Sequence, residues 1–236
     1  ALGTVILPRL ASEHARANPE RFTLTLDWAL RWVLLIAAPA TVGLIMLALP
    51  MLATLFLHGE FRQLDVLAAS MSLSTYGLGL AGFILVKVLA PGYFARQDTR
   101  TPVRFAVISM VGNMVLSVIA VLALRHTGVG HAAIALVTAI AAWANALMLL
   151  GGLRRLGVYR PGEDWNRLGR QVGLATLLMA LTLYWPATRA ELWLEGAFWL
   201  RLAVLFVTIA VAVAVYFGTL TLLGLRWRGL REPQAS

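Results

Sequence analysis

The side chains able to do chemistry in this sequence are few, and most of them fall in one stretch. Lys87 is the only lysine in the chain. It is followed by Val-Leu-Ala-Pro-Gly-Tyr-Phe-Ala-Arg-Gln-Asp-Thr-Arg-Thr-Pro, ending at Pro102. Arg96, Arg100 and Arg104 recur at a spacing of four, which on one helix would place them on one face, although Pro102 argues against a continuous helix through all three. A guanidinium is suited to phosphate, which it grips with two parallel hydrogen bonds. Two readings of this turn stand side by side. It could handle phosphate or gate a pathway, or it could be a basic turn in which Asp98 caps or pairs locally. Pro91-Gly92 is expected to open the preceding helix, and Thr101-Pro102 fits an N-cap followed by proline at the first helical position. Lys87 itself either snorkels to the nearby interface or faces an aqueous cavity that takes an anion. Candidate substrate or gating residues are therefore Lys87, Pro91, Gly92, Arg96, Gln97, Asp98, Arg100 and Arg104.

A second group is neutral. Asn113 and Ser117 lie one helical turn apart, and Thr138 and Asn145 lie in the next apolar stretch. Such residues hydrogen-bond between packed membrane helices. The sharper alternative is an oxygen-lined monovalent cation site formed by Asn113, Ser117 and Thr138, although no carboxylate lies deep enough in these stretches to join them. The sequence holds no nucleotide-binding loop, no metal-ligand cluster and no nucleophile–base pair. With no cysteine it can form no disulfide or thiolate site.

The elements that must position these residues are membrane helices. The chain of 236 residues is 60% hydrophobic and only 13% charged, with a mean hydropathy of +0.78. Stretches free of charge and histidine cover 32–57, 66–86, 105–124, 132–153, 171–188 and 202–225. About 20 helical residues cross a bilayer core, so six full spans are predicted: an all-α polytopic membrane protein. Soluble enzymes, nucleic-acid-binding domains and disordered chains are excluded, and continuous rather than alternating apolar runs speak against a β-barrel. The spans are expected at about 28–57, 66–94, 103–124, 131–153, 169–187 and 199–224, with kinks at Pro39 and Pro50. Residues 9–27 read as a polar loop with a short interfacial helix. Residues 1–8 read as the end of a membrane helix, so the chain is expected to be the C-terminal part of a longer protein. Small residues are dense in the second span (Gly77, Gly79, Ala81, Gly82) and the fourth (Ala139, Ala141, Ala142, Ala144), and permit close helix contact. Of the 19 arginines, 15 fall in connections 9–31, 96–104 and 154–170 and in the tail, which the positive-inside rule assigns to the cytoplasm together with the C-terminus.

The run "VKVLAPGYFARQDTRTPV" (86–103) resembles the signature of the MurJ/MviN lipid II flippases, of the multidrug/oligosaccharidyl-lipid/polysaccharide exporter superfamily. "ALGTVILPRLA" (1–11), "TLDWALRWVLLIAAPATVGL" (25–44), "LFLHGEF" (55–61) and "RHTGVGHAAIALVTAIAAWANALML" (125–149) agree with it, and the likeness fades in the last two spans. The resemblance implies a bacterial inner-membrane transporter of fourteen helices that moves undecaprenyl-pyrophosphate-linked peptidoglycan precursor from the cytoplasmic to the periplasmic leaflet by alternating access. On it, 1–153 would be the end of helix eight and the rest of the second lobe. Residues 154–170 would be a cytoplasmic linker, 171–225 an extra helix pair extending a lipid-tail groove, and 226–236 a cytoplasmic tail. The implied partners are lipid II, membrane lipids and the N-terminal lobe missing from this chain, with no nucleic acid. No cofactor is implied beyond coupling to sodium or to the membrane potential. The family's cavity arginines lie upstream of Ala1. Where some members bind sodium, Asn113 and Ser117 correspond, with serine in place of an acid, and Thr138 is the partner from the fourth span. Other cargo within the superfamily, or a transport-inactive scaffold for cell-wall assembly, are the alternatives.

Overall fold

Proline and glycine decide where the helices of this chain begin and break. The computed structural model describes residues 7–8, 10–13, 18–127, 129–162 and 164–225. The first six residues of the expected helix stub, and the tail 226–236, lie outside them. Among the described residues the regular elements are all helices and there is no strand.

Helix α1 is Pro19–Met46. It begins nine residues earlier than the expected span, because Asn18 and Pro19 form a cap the loop reading missed: the Asn18 Oδ1 accepts the Arg21 N–H at 3.1 Å, and proline is at home in a helix's first turn. Pro39 is absorbed without a break. Its ring removes the donor to the Leu35 carbonyl, and the Tyr216 hydroxyl donates to that oxygen at 2.7 Å. The chain does break near Pro50, at Leu47, where α2 (Ala48–Phe56) begins. The expected second span is two helices, α3 (Gln63–Gly77) and α4 (Leu80–Phe94), bent by 40°. Close packing on α6 accompanies the bend. A Cβ on Gly79 would meet the Ala139 Cα at 2.7 Å, and one on Gly82 the Trp143 amide nitrogen at 3.0 Å. Trp143 is also the one tryptophan that the sequence leaves in mid-span. Its indole N–H donates to the Leu78 carbonyl at the bend, at 2.8 Å.

Helices α5 (Arg100–Leu124), α6 (Gly130–Arg155), α7 (Trp165–Thr188), the short α8 (Ala190–Leu194) and α9 (Phe198–Leu222) complete the described fold. By length and composition α1, α5, α6 and α9 can each cross a membrane, and α3 with α4 makes one further, bent span. These account for five of the six expected spans among the described residues. The sixth, α7, has 24 residues and is long enough to cross, but it opens on Trp-Asn-Arg-Leu-Gly-Arg-Gln and is less apolar than the others.

Three apolar clusters hold the bundle. One joins α1, α4 and α6 through Leu26, Leu30, Leu89, Tyr93, Leu149 and Leu153. A second joins α1, α7 and α9 through Leu35, Ala175, Met179, Leu183 and Tyr216. A third, around Trp193, ties α2, α3 and α9 at the other end. Helix α5 is the outlier. It packs on α6 and touches α4, and Pro102 is its only buried residue.

Candidate functional site

The signature stretch is built as a capped turn. Helix α4 does not open at Pro91-Gly92 as expected but continues to Phe94, with both residues buried. Proline removes one donor, and the surrounding contacts hold the remaining turns. Gly92 sits against Leu153, and the Tyr93 hydroxyl donates to the Leu149 carbonyl at 2.7 Å. The helix then stops because Gln97 adopts a left-handed φ of 60°. The Gln97 N–H donates to the Phe94 carbonyl at 2.9 Å and the Asp98 N–H to the Tyr93 carbonyl at 3.1 Å. This paired closure usually employs glycine. Asp98 then caps α5: its Oδ1 accepts the Thr101 N–H at 3.0 Å. Hydrogen bonds from Thr101 hold its carboxyl below the usual carboxylate range. The expected cap at Thr101 is thus displaced to Asp98. Thr101 and Pro102 lie inside the first turn of α5, where helical N–H groups have no intrahelical partner and proline costs nothing.

The three arginines do not share a face. Arg96 is half-buried in a cleft of about 360 Å³ with Asn18, Pro19, Phe22 and residues 156–158. Arg100 and Arg104 are exposed on α5, beyond the turn. Lys87 is exposed beside buried Val88 and Leu89, so it points away from the packed side of α4. Among the described residues it makes no hydrogen bond or ion pair.

Asn113, Ser117 and Thr138 do come together. The Asn113 Oδ1 accepts from the Ser117 hydroxyl at 3.3 Å and lies 3.5 Å from that of Thr138, which also donates to the Ile134 carbonyl at 2.9 Å. The trio ties α5 to α6. It offers three neutral oxygens, already bonded to one another, and no group of three acidic, histidine or cysteine side chains able to hold a metal occurs among the described residues. The donor set is thus too small and too neutral to make a sodium site by itself.

Sequence reasoning missed the best-bonded polar group at this end of the molecule. Asp27, read as the end of a loop, is buried in α1. It accepts from Arg31 Nε at 2.7 Å, the Trp165 indole at 2.6 Å and the Tyr159 hydroxyl at 3.0 Å. Burial and the Asp27 charge raise the Tyr159 phenol above its ordinary value, so it stays a donor. The Arg31 guanidinium also lies 5.9 Å over the Trp165 ring. The Asp27–Arg31 pair at (i, i+4) was a readable signal, but its aromatic partners lie more than 130 residues away.

Tyr159 and Trp165 of this cluster also line one end of an apolar groove of about 940 Å³. Its walls are α1 (from Leu30 to Val42), Ala81 and Leu85 of α4, Trp143 and Leu150 of α6, and α7 as far as Ala180. Among the described residues Arg154, at the Tyr159–Trp165 end, is its one charged lining residue.

The profile of the family described as "Lipid II flippase MurJ" matches residues 1–204. The chain is 40% identical to a probable lipid II flippase MurJ of Vibrio cholerae serotype O1 over 231 residues, 98% of this chain and 43% of that protein. It is 36% identical to the lipid II flippase MurJ of Burkholderia cenocepacia over 238 residues, 98% and 44% of the two chains. A solved structure titled "Lipid II flippase MurJ, inward closed conformation" superposes with a TM-score of 0.74 at 25% identity, covering 98% of this chain and 44% of that one. The chain spans less than half the length of the curated relatives it matches.

Proposed function

The chain belongs to the lipid II flippase MurJ family, and from that membership we propose that it forms the second lobe and extra helix pair of a transporter that carries lipid-linked peptidoglycan precursor across the bacterial inner membrane. The structural observation that carries the reading is the groove between α1 and α7. A prenyl diphosphate is a long apolar chain with a doubly phosphorylated head. The groove offers an apolar wall along two helices and one guanidinium at its end. The chain's own residues then divide the work. The groove keeps the tail out of water, cations meet the phosphates, and rocking of this lobe against a preceding one carries the head across.

The orientation proposed is the one in which the arginine-rich connections and the C-terminus face the cytoplasm. It is supported by the gathering of Asn18, Arg96 and residues 156–158 at one end of the bundle. The opposite end joins the other connections: Gln63 donates to the Leu194 carbonyl, and Arg201 to those of Ala53 and Trp193. Lys87, exposed on α4, is proposed to face the aqueous cavity between the lobes.

The test is the sidedness of lipid II in the native bacterium after depletion of the full-length protein containing this chain. Accumulation on the cytoplasmic face, with rounding or lysis, is expected, whereas a normal distribution in a strain without a second flippase overturns the reading. In the full-length protein Lys87→Ala should slow transport about tenfold, the worth of one charge-assisted contact. Arg189→Ala, at the opposite end, should leave transport unchanged. Equal, undiminished activity of both variants removes Lys87 from the cavity.

A further inference from the structure

Among the described residues the groove has one charged lining residue, Arg154, and its surroundings single it out. Among the described residues, two arginines lie over the aromatic rings at this end, Arg31 over Trp165 and Arg154 over Tyr159. Arg31 is neutralised by Asp27 at 2.7 Å. Arg154 has no carboxylate partner among the described residues, and its guanidinium lies 5.9 Å from the Tyr159 ring centroid. The Tyr159 hydroxyl is in turn held by Asp27. The Asp27 cluster therefore fixes the aromatic surface on which Arg154 rests and leaves its planar fork of donors free. Such a fork matches a phosphate with two parallel hydrogen bonds. Arg154 and Arg155 both complement the C-terminal dipole of α6, but only Arg154 lines the groove.

We propose that Arg154 receives the diphosphate of a prenyl-linked lipid whose tail lies in this groove, a loading position that precedes entry of the head between the lobes. The inference rests on the tail-groove reading above. The groove is continuous along α1 and α7, which suits one long chain with its head at the Arg154 end. A diphosphate also brings more charge to a lone guanidinium than a phosphodiester does.

The test is a binding titration of the full-length protein by native mass spectrometry with undecaprenyl diphosphate, uncharged undecaprenol and dioleoyl phosphatidylglycerol. Arg154→Gln should weaken undecaprenyl diphosphate binding about tenfold and leave undecaprenol unchanged. Arg155→Gln should change neither. Gly173→Trp, whose side chain enters open space in the groove, should weaken both prenyl lipids. Wild-type affinity of Arg154→Gln for undecaprenyl diphosphate, with Gly173→Trp still weakening both lipids, overturns the role of Arg154 and leaves the groove standing. Unchanged binding of both prenyl lipids to Gly173→Trp overturns the groove itself. An equal loss of phosphatidylglycerol in Arg154→Gln overturns the assignment to a prenyl diphosphate. Unfolding temperatures of the lipid-free variants equal to wild type tie the losses to the contact, and Arg154→Lys, which keeps the charge but not the fork, should fall between Gln and wild type.

Discussion

At Leu35 a carbonyl orphaned by Pro39 is met by the Tyr216 hydroxyl from a helix 181 residues away in sequence. Nothing in the apolar environment could replace that donor, so Tyr216→Phe leaves a buried acceptor unpaired. The expected cost is about 1 kcal/mol, the range of hydrogen bonds in membrane proteins, read as a lowered unfolding temperature of the full-length protein. Asp27 is the heavier case. Its carboxylate has three donors, and its side chain and that of Arg31 are 10% and 19% exposed. Removing it with Asp27→Ala strands Arg31 and two aromatic donors together, at about 3 kcal/mol. Asp98 adds a pH dependence. Its pKa is depressed in the folded state, so its contribution is fully present above the unfolded value of 3.8. It is lost as pH falls through the lower folded value. Asp98→Asn should therefore flatten the acid limb of a stability–pH curve and leave the neutral region's slope unchanged.

Among the elements, the seam between α4 and α6 turns on the absence of side chains. A Cβ at Gly79 would strike the Ala139 backbone, which has no flexible end to yield. Gly79→Ala should cost about 1–3 kcal/mol as overpacking. Gly218→Ala on α9, with nothing within 4 Å, should be neutral or slightly stabilising. Comparing the two by thermal unfolding separates contact from propensity. The same elements show what the sequence made legible. Long uncharged runs announced the membrane helices, and the small residues of the second and fourth spans marked faces fit for close contact without saying that the two would meet. Asn18-Pro19 marked the start of α1 as plainly, but polar residues 20–27 hid it, since charge density reads as loop. The bend at Leu78 and the smooth passage through Pro91 were not legible, because both depend on which neighbour supplies or blocks a backbone group. The Asp27 cluster was not legible either: its partners are brought together only by the docking of α7 on α1.

For the whole molecule, the connections sort to two ends, and that sorting dictates where to probe topology. Gly162 and Gly196 lie in suitable connections but are poor cysteine sites. A Cβ at Gly162 would press on Arg31 at 2.8 Å, and one at Gly196 on the Leu192 carbonyl. Arg160 and Glu195 are exposed neighbours. Cysteines there should label from opposite faces of the membrane; labelling from one face refutes the proposed orientation.

The contact between Tyr93 and Gly152 carries a consequence for the family's history. A Cβ at position 152 would collide with the Tyr93 hydroxyl but sit 3.4 Å from its ring carbon Cζ. The two positions are thus coupled through a single oxygen atom. Gly152→Ala should destabilise the protein, and Tyr93→Phe introduced beside it should restore much of the loss, a non-additivity that a double-mutant cycle measures directly. Across related sequences the same oxygen predicts covariation: glycine where the tyrosine stands, and alanine tolerated where the lineage has phenylalanine instead.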